Sequence, residues 1–460
     1  MFVFNLFADG VLPIGVGTEA DPYQVASLDN LLWISTNSDS WDSNFIQTAD
    51  IDATDTQTWN DGAGFMPIGN SEDSFSGIYD GFDNEIIGLY INRPSSNNQG
   101  LFTGIGNATI RNLGVVNANI TGKEYIGILA GMIGGSDIIN CYCSGSVAGE
   151  GRIGSLAGSA LIFVNITNCC SLGSATGESR IGGLVGETLS PCMIENSFSE
   201  TIVTGYGNEI GMMGGLVGSN GSDINACYST GNVNGIAGVG GLVGADNGTI
   251  TNCYSLSNVN GQSYIGGLVG GTHSNSTINN CYSVGSVSGS GDFIGGLVGN
   301  YIVEPSSVSN SFWNIETSGQ ISSAGGTGKT TAEMKDVATF TDVTTAGLTT
   351  AWDFAGTPND DVNTEDIWNI NVTDYDGYPF LQWQVLEVIP GVPANIDISV
   401  MHSSVTIAWD TVLGATSYKV FSCVNPHGPF TEDTEGTFND DSWTAPIGTS
   451  MKYYYVQAVN

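Results

Sequence analysis

The sequence predicts an all-β protein: a parallel β-helix of ~27-residue coils, capped at both ends and followed by a small β-sandwich. Three observations carry this reading. The first is the hexapeptide Ile-Gly-Gly-Leu-Val-Gly, nearly identical at 181–186, 239–244, 265–270 and 294–299. Residues 213–218 are a fifth copy, and 126–131 and 153–158 are looser ones. Successive copies start 26 to 32 residues apart, the period range of solenoid and propeller repeats. The second is a tripeptide in phase with the first: Asn140-Cys141-Tyr142, Asn168-Cys169-Cys170, Asn196-Ser197-Phe198, Ala226-Cys227-Tyr228, Asn252-Cys253-Tyr254, Asn280-Cys281-Tyr282 and Asn310-Ser311-Phe312. Two motifs in phase describe one structural unit repeated about seven times. The third is the texture of the repeats, which are short, β-branched and without a helical period. A propeller blade needs four longer strands and about 40 residues or more, so the unit suits one coil of a β-helix.

The elements follow in order. Residues 1–14 read as a signal-peptide remnant or an N-terminal arm. The stretch from Met1 to Ala8 is apolar, and Leu6 and Ala8 are spaced like a signal-peptidase site, but a basic leader is lacking. Residues 15–125 form an N-terminal cap merging into irregular first coils. Within them Ser27 can cap a short helix over 28–34, with Leu28, Leu31 and Leu32 on one face. Strand-like stretches at 45–51, 75–79, 86–91 and 109–116 are broken at Gly and Asn/Asp turns.

Residues 126–312 are the regular array. Each unit reads strand, turn, strand, turn, as at 265–270, 277–283 and 286–287. With ~4.8 Å per coil, eight to ten coils make a rod roughly 40–50 Å long. Glycine permits the sharp corners. The repeated asparagine suits a left-handed corner, where its amide can bond the next asparagine in the stack. Such a corner at Asn280 resets the side-chain alternation and turns both Ile278 and Cys281 inward. Residues 313–387, richer in Thr, Asp and Trp, cap the last coil and cover its strand edge. Pro390-Gly391-Val392-Pro393 reads as a linker. Residues 388–460 form the sandwich, with strands at 405–409, 418–422, 430–432, 438–443 and 453–459. In this pattern the sandwich lacks its last strand.

Nine Lys and Arg stand against 46 Asp and Glu, a net charge of −37. Such a surface repels nucleic acid and anionic membranes, so neither is expected as a partner. No run of ~20 apolar residues is present to span a membrane. The charge favours solubility and can attract cations, Ca²⁺ above all. The acids are scattered, however, without an EF-hand pattern, and no cofactor is expected. Five of the nine cysteines, Cys141, Cys169, Cys227, Cys253 and Cys281, share one repeat position. They read as an internal ladder of buried thiols. Parallel stacked side chains point the same way, which disfavours disulfides.

The Ile-Gly-Gly-Leu-Val-Gly and Asn-Cys-Tyr-Ser repeats resemble the GLUG family, found in large bacterial surface proteins, some related to IgA-specific metallopeptidases. Residues 17–35, 75–92, 311–334 and 377–383 also look like regions that accompany that family, so the likeness covers roughly 15–387. Residues 392–460 are similar to a fibronectin type III domain through Trp409 and the stretches 414–420 and 452–459. The combination implies a secreted or cell-surface bacterial protein. It implies no activity, since such families share architecture more than chemistry.

The sequence carries little catalytic chemistry. None of His273, His402 and His427 is followed by Glu, so the H-E-x-x-H zinc helix of the related peptidases has no residues to carry it. Residues 325–330 resemble a phosphate loop, but Ser323 stands where the pattern needs glycine. Asp137 and Asp223 precede their motifs as paired carboxylates of a polysaccharide hydrolase can, yet Ser276 takes the matching place later. The expectation is therefore no enzyme.

The candidate binding feature is the aromatic column Tyr142, Phe198, Tyr228, Tyr254, Tyr282 and Phe312. Facing solvent, it is a stripe that stacks on sugar rings; packed inside or at a corner, it is a structural ladder. The expected function is a secreted or surface-displayed structural and adhesive protein, with an acidic stalk and the sandwich as spacer or binding tip. One alternative is a carbohydrate-binding module using the column. The other is a filament subunit, in which residues 2–8 fill the open sandwich of the next copy head to tail. Host or environmental glycans or surface proteins are the partners this reading calls for.

Overall fold

The computed structural model describes residues 10–70, 72–206, 210–301, 306–355, 366–371, 375–384, 397–401, 404–409, 417–423, 431–434, 436–439, 442–446 and 453–459. The N-terminal arm at 2–8 and the linker at 390–393 lie outside these residues. The chain divides into two units, Met1–Gln382 and Trp383–Asn460.

A side chain that recurs once per coil meets its own repeat one strand away, and this self-matching stacks the first unit. One ladder runs through ten successive parallel pairings, from Tyr23–Val25 and Asn44–Gln47 to Ser307–Ser309. Its middle residues are apolar throughout. Tyr23, Phe45 and Tyr79 give way to Ile110, Ile138, Ile166, Ile194, Ile224, Ile250 and Ile278, ending at Val308. Eleven strands ~4.8 Å apart span roughly 48 Å. Two further parallel faces complete the regular coils. One has seven strands, from Glu124–Ile126 to Ile294–Gly295; the other has eight, from Phe102–Gly106 to Val298–Tyr301. The unit is a parallel β-solenoid.

The hexapeptide forms a corner, where a strand was expected. Residues 265–270 divide between Ser263–Gly266 and Val269–Thr272, which belong to different sheets. A Cβ on Gly266 would lie 2.0 Å from the Val269 carbonyl oxygen, one on Gly267 2.2 Å from that of Gly296, and one on Gly270 2.6 Å from that of Gly244. Backbone of the same coil and of both neighbours fills the space, so only glycine can turn there. Leu268 and Val269 point into the fully buried interior.

The strand expected at 277–283 likewise breaks, at Asn280, into Thr277–Asn279 and Tyr282–Ser283. Asn140, Asn168, Asn196, Asn252, Asn280 and Asn310 all adopt left-handed φ values between 44° and 54°. The resulting parity reset buries both Ile278 and Cys281 completely. Asn140 Nδ2 donates to Asn112 Oδ1 at 3.0 Å, and Asn168 Nδ2 to Asn140 Oδ1 at 3.1 Å. Cys141, Cys169, Cys227, Cys253 and Cys281 are buried free thiols. The Cys281 Sγ donates to the Asn279 carbonyl at 3.1 Å.

In the N-terminal region a helix spans Leu28–Thr36, two residues longer than its apolar pattern, with Leu31 and Ile34 buried. The Ser27 Oγ accepts from the Asn30 N–H at 3.3 Å, which fixes its start. The strand-like stretch 45–51 separates into Asn44–Gln47 and Ile51–Asp52, while 75–79 and 86–91 become Ile78–Ile87 and Tyr90–Asn92. Residues 109–116 extend to Thr109–Thr121, because left-handed Asn112 and Asn117 bend the strand without ending it.

The second unit is an antiparallel sandwich. One sheet orders Asp397–Met401, Ser404–Ala408, Ser442–Pro446 and Thr437–Asn439; the other orders Thr431–Glu432, Ser417–Cys423 and Tyr453–Val459. Val405, Ile407, Trp409, Val420, Trp443 and Ala445 form its core. The first of these strands was not foreseen, and 438–443 proves to be parts of two paired strands.

Candidate functional site

The candidate column is a true ladder, with one more member than its aromatic residues suggest. Register runs Tyr142, Cys170, Phe198, Tyr228, Tyr254, Tyr282, Phe312 across adjacent strands. Each side chain lies two residues past the left-handed corner, so it faces away from the coil interior. Its neighbours on either side, such as Cys281 and Ser283, face in and are buried. The inward serines have a fixed task. Ser171 Oγ donates to the Gly183 carbonyl at 2.9 Å, Ser229 Oγ to Gly241 at 2.6 Å, and Ser283 Oγ to Gly296 at 2.8 Å.

The outward rings stack face to face. Phe198 and Tyr228 have centroids 4.8 Å apart at 2°, Tyr228 and Tyr254 5.0 Å at 4°, and Tyr254 and Tyr282 5.0 Å at 5°. The cap then lies against the column. Trp368 sits 6.2 Å from Tyr254 and 6.0 Å from Tyr282, Trp352 6.1 Å from Phe312, and Phe340 5.6 Å from Phe312. Tyr254, Tyr282 and Phe312 are buried beneath it. Hydrogen bonds pin the cap: the Tyr282 hydroxyl donates to the Pro379 carbonyl, and Trp352 Nε1 donates to the Asn310 carbonyl at 3.0 Å. At the other end Tyr142, Cys170 and Phe198 are half-buried. The Tyr142 hydroxyl donates to Glu85 Oε1 at 2.7 Å. Burial, and then the Glu85 carboxylate, push that hydroxyl well above the ordinary tyrosine range. Burial also raises the Cys170 thiol to about 11, helped by Glu200. At this end the column therefore offers a flat, half-buried face, on which neither Tyr142 nor Cys170 exchanges protons near neutrality.

Two constellations escaped the sequence reading. The residue just before the hexapeptide forms a second outward column: Tyr125, Arg152, Arg180, Met212, Tyr264 and Phe293, all left-handed with φ of 51° to 64°. Arg152 pairs with Glu187 at 2.8 Å and Glu124 at 3.1 Å, and Arg180 pairs with Glu187 at 3.0 Å. The Arg152 guanidinium lies 4.7 Å over the Tyr125 ring, and Tyr264 and Phe293 stack at 4.9 Å. Its one sequence signal is a bulky residue at that place in six of the seven copies, with Gly238 at φ 73° in the other.

The other is a buried polar ladder two residues after the hexapeptide. Thr188 Oγ1 donates to Asn220 Oδ1 at 2.7 Å, and Asn220 Nδ2 donates to Asp246 Oδ1 at 2.7 Å. The Ser276 hydroxyl donates to the other Asp246 oxygen. Asp246 is fully buried, and that burial outweighs its hydrogen bonds and lifts its pKa to about 6.

Other sequence candidates are dispersed. Asp137 and Asp223 occupy one ladder three strands apart, with Asn165 and Met193 between. That is roughly 14 Å, beyond the about 5–9.5 Å that glycosidase carboxylates require. Thr277, one place after Ser276, continues the ladder of Asp223. The phosphate-loop-like segment contains a strand, Thr327–Lys329, paired with Phe312–Asn314. Lys329 is buried with its Nζ 5.5 Å over the Phe312 ring. Among the described residues no group of three His, Cys, Asp or Glu is placed to hold a metal ion. None of their helices is long and apolar enough to cross a membrane.

No family model matches the chain. Among solved structures it is similar to an IgA1 protease, with a TM-score of 0.41 and 20% identity over 63% of this chain and 21% of that one. Over 150 residues, 32% of this chain, it is 38% identical to halomucin of Haloquadratum walsbyi. That match spans 2% of the length of halomucin.

Proposed function

We propose that the chain is a structural and adhesive part of a secreted or cell-surface protein. Its GLUG-type repeats serve as an acidic stalk, and its fibronectin type III-like sandwich as spacer or binding tip. The carrying observation is that the regular coils return, with single exceptions, to the same internal contacts: an isoleucine ladder from Ile110 to Ile278, an asparagine corner, an inward thiol and a serine–glycine bond. Such repetition sets a length and a stiffness. The likeness to 2% of the length of halomucin supports a segment of a kind found within a far longer chain. A membrane-impermeant biotin reagent applied to intact cells, followed by beads coated with the purified chain on glycan and cell surfaces, tests the reading. Labelled chain and retained beads are expected. Chain that stays unlabelled while other surface proteins react removes the surface role, and beads that wash off remove adhesion.

A second reading is favoured by the half-buried Tyr142–Cys170–Phe198 end of the column: a carbohydrate stacked on that face. Soluble oligosaccharides then quench tyrosine fluorescence in the native chain and not in Tyr142→Ala.

A further inference from the structure

The corner leading from the eight-stranded face into the long ladder carries one pattern three times. Asn107-Ala108-Thr109, Asn247-Gly248-Thr249 and Asn275-Ser276-Thr277 each read Asn-x-Thr without proline, the acceptor pattern for N-linked sugar. The fold places them equivalently. Thr109, Thr249 and Thr277 hold the same register position of the ladder. Each asparagine stands two residues earlier, at the turn, and is exposed. Asn107 and Asn275 take φ of 55° and 105°. Among the described residues no hydrogen bond engages any of the three side-chain amides.

Four other Asn-x-Ser/Thr patterns occur, at Asn119, Asn165, Asn220 and Asn371, and three of them are visibly different. Asn220 is 2% exposed, and its Nδ2 donates to the Ser222 carbonyl and to Asp246. Asn165 Nδ2 donates to Asp137 Oδ1 at 2.8 Å. Asn119 is held inside Thr109–Thr121, paired with Tyr90 on one side and Ser146 on the other. A strand residue locked between two neighbours cannot bend its amide toward an enzyme without breaking ladder bonds. The pattern of Asn371 continues outside the described residues.

We propose that Asn107, Asn247 and Asn275 are N-linked glycosylation sites, served by a lipid-phosphate-linked oligosaccharide donor. The asparagine Nδ2 forms a bond to the anomeric carbon of the sugar. The bond from that carbon to the phosphate oxygen breaks, its electron pair leaves with the lipid phosphate, and the amide proton passes to a base of the transferase. The modification is bulky and solubilising. It clothes one corner of the solenoid, and on adjacent coils Asn247 and Asn275 carry it side by side. The proposal rests on the export reading above.

Chain recovered from the outer fraction of its own cells, digested and mapped by fragmentation mass spectrometry, decides it. Sugar mass is expected on the peptides of Asn107, Asn247 and Asn275 and absent at Asn119, Asn165 and Asn220. Thr109→Val, Thr249→Val and Thr277→Val should each erase the sugar at their own site while leaving the turn asparagine in place, since valine suits a strand. The matching Thr→Ser variants should restore it. Bare amides at any two of the three sites in exported chain overturn the proposal, as does equal occupancy at Asn220. Bare chain confined to the cytosol overturns the export reading and this proposal together.

Discussion

The serine that follows Cys170, Tyr228 and Tyr282 ties the two sequence motifs together. Ser229 Oγ reaches across the coil to the Gly241 carbonyl at 2.6 Å. A Cβ on Gly241 would fall 2.1 Å from the Gly267 carbonyl oxygen and 2.2 Å from Ser255 Oγ. Gly241→Ala should therefore destabilise the solenoid by about 3 kcal/mol or more, read from the midpoint of urea unfolding. Gly62→Ala meets nothing within 4 Å and should cost only about 1 kcal/mol, for its left-handed backbone. Equal losses would show that packing does not dictate the corner. Asp246 gives a second residue-scale test. Its folded pKa is raised from 3.8 to about 6, so the folded state holds the proton more tightly than the unfolded one. The stability this confers is full below about pH 4 and is lost as pH rises through about 6, amounting to about 3 kcal/mol. Asp52, Asp80 and Glu333 have lowered pKa values and act in the opposite sense. The informative quantity is therefore the difference between the native chain and Asp246→Asn, followed by urea unfolding from pH 4 to 7. The native chain should lose stability relative to the variant across that window, and parallel curves would place the titration elsewhere.

Among the elements, the cap acts along the side of the solenoid as well as at its end. Thr327–Lys329 adds a last rung to Phe312–Asn314, and Trp352 and Trp368 lie against the rings of successive coils. Asn310, last in its row of corner asparagines, closes it by accepting from the Thr349 N–H at 2.7 Å and hydroxyl at 2.9 Å. Trp368→Ala should cost about 3–5 kcal/mol and make Tyr254 and Tyr282 accessible to acrylamide quenching. Unchanged quenching would mean that the cap does not shield the column. How far the sequence could foresee this differs by element. Local chemistry made the asparagine corner legible: a left-handed φ at Asn280 is enough to put Ile278 and Cys281 on one side. The hexapeptide was misread as a strand because Ile265, Leu268 and Val269 look β-like in one dimension. Only the carbonyls of neighbouring coils show that its glycines turn. The rung filled by Cys170 was in the repeating tripeptide and was passed over only because it is not aromatic; the cover over Tyr254 and the burial of Asp246 depend on partners tens of residues away, and no periodicity records them.

Across the whole molecule the net charge of −37 meets a fold that stacks like upon like. In-register parallel strands bring equivalent positions within ~4.8 Å. Asparagine tolerates this because its amide both donates and accepts, but two carboxylates do not. Among the described strands no acid has an acid as its ladder partner. Asp137 faces Thr109 and Asn165, Glu187 faces Ser159 and Ser219, Glu195 faces Thr167 and Asn225, and Asp223 faces Met193 and Thr249. Short-range repulsion is thus removed rung by rung, and what remains is the long-range repulsion of a densely acidic surface. Salt screens that component: the Debye length falls from ~10 Å at 0.1 M to ~3 Å at 1 M. The melting temperature of the full chain should therefore rise steadily from about 0.1 to about 1 M NaCl. KCl should match it at equal concentration, since screening depends on ionic strength and not on the ion. CaCl₂ at matched ionic strength separates screening from site binding. A curve that overlays NaCl assigns the effect to screening alone, whereas a larger rise saturating at low millimolar Ca²⁺ assigns part of it to bound calcium. A melting temperature indifferent to all three salts would mean that the acids are spaced widely enough to leave no repulsion to screen.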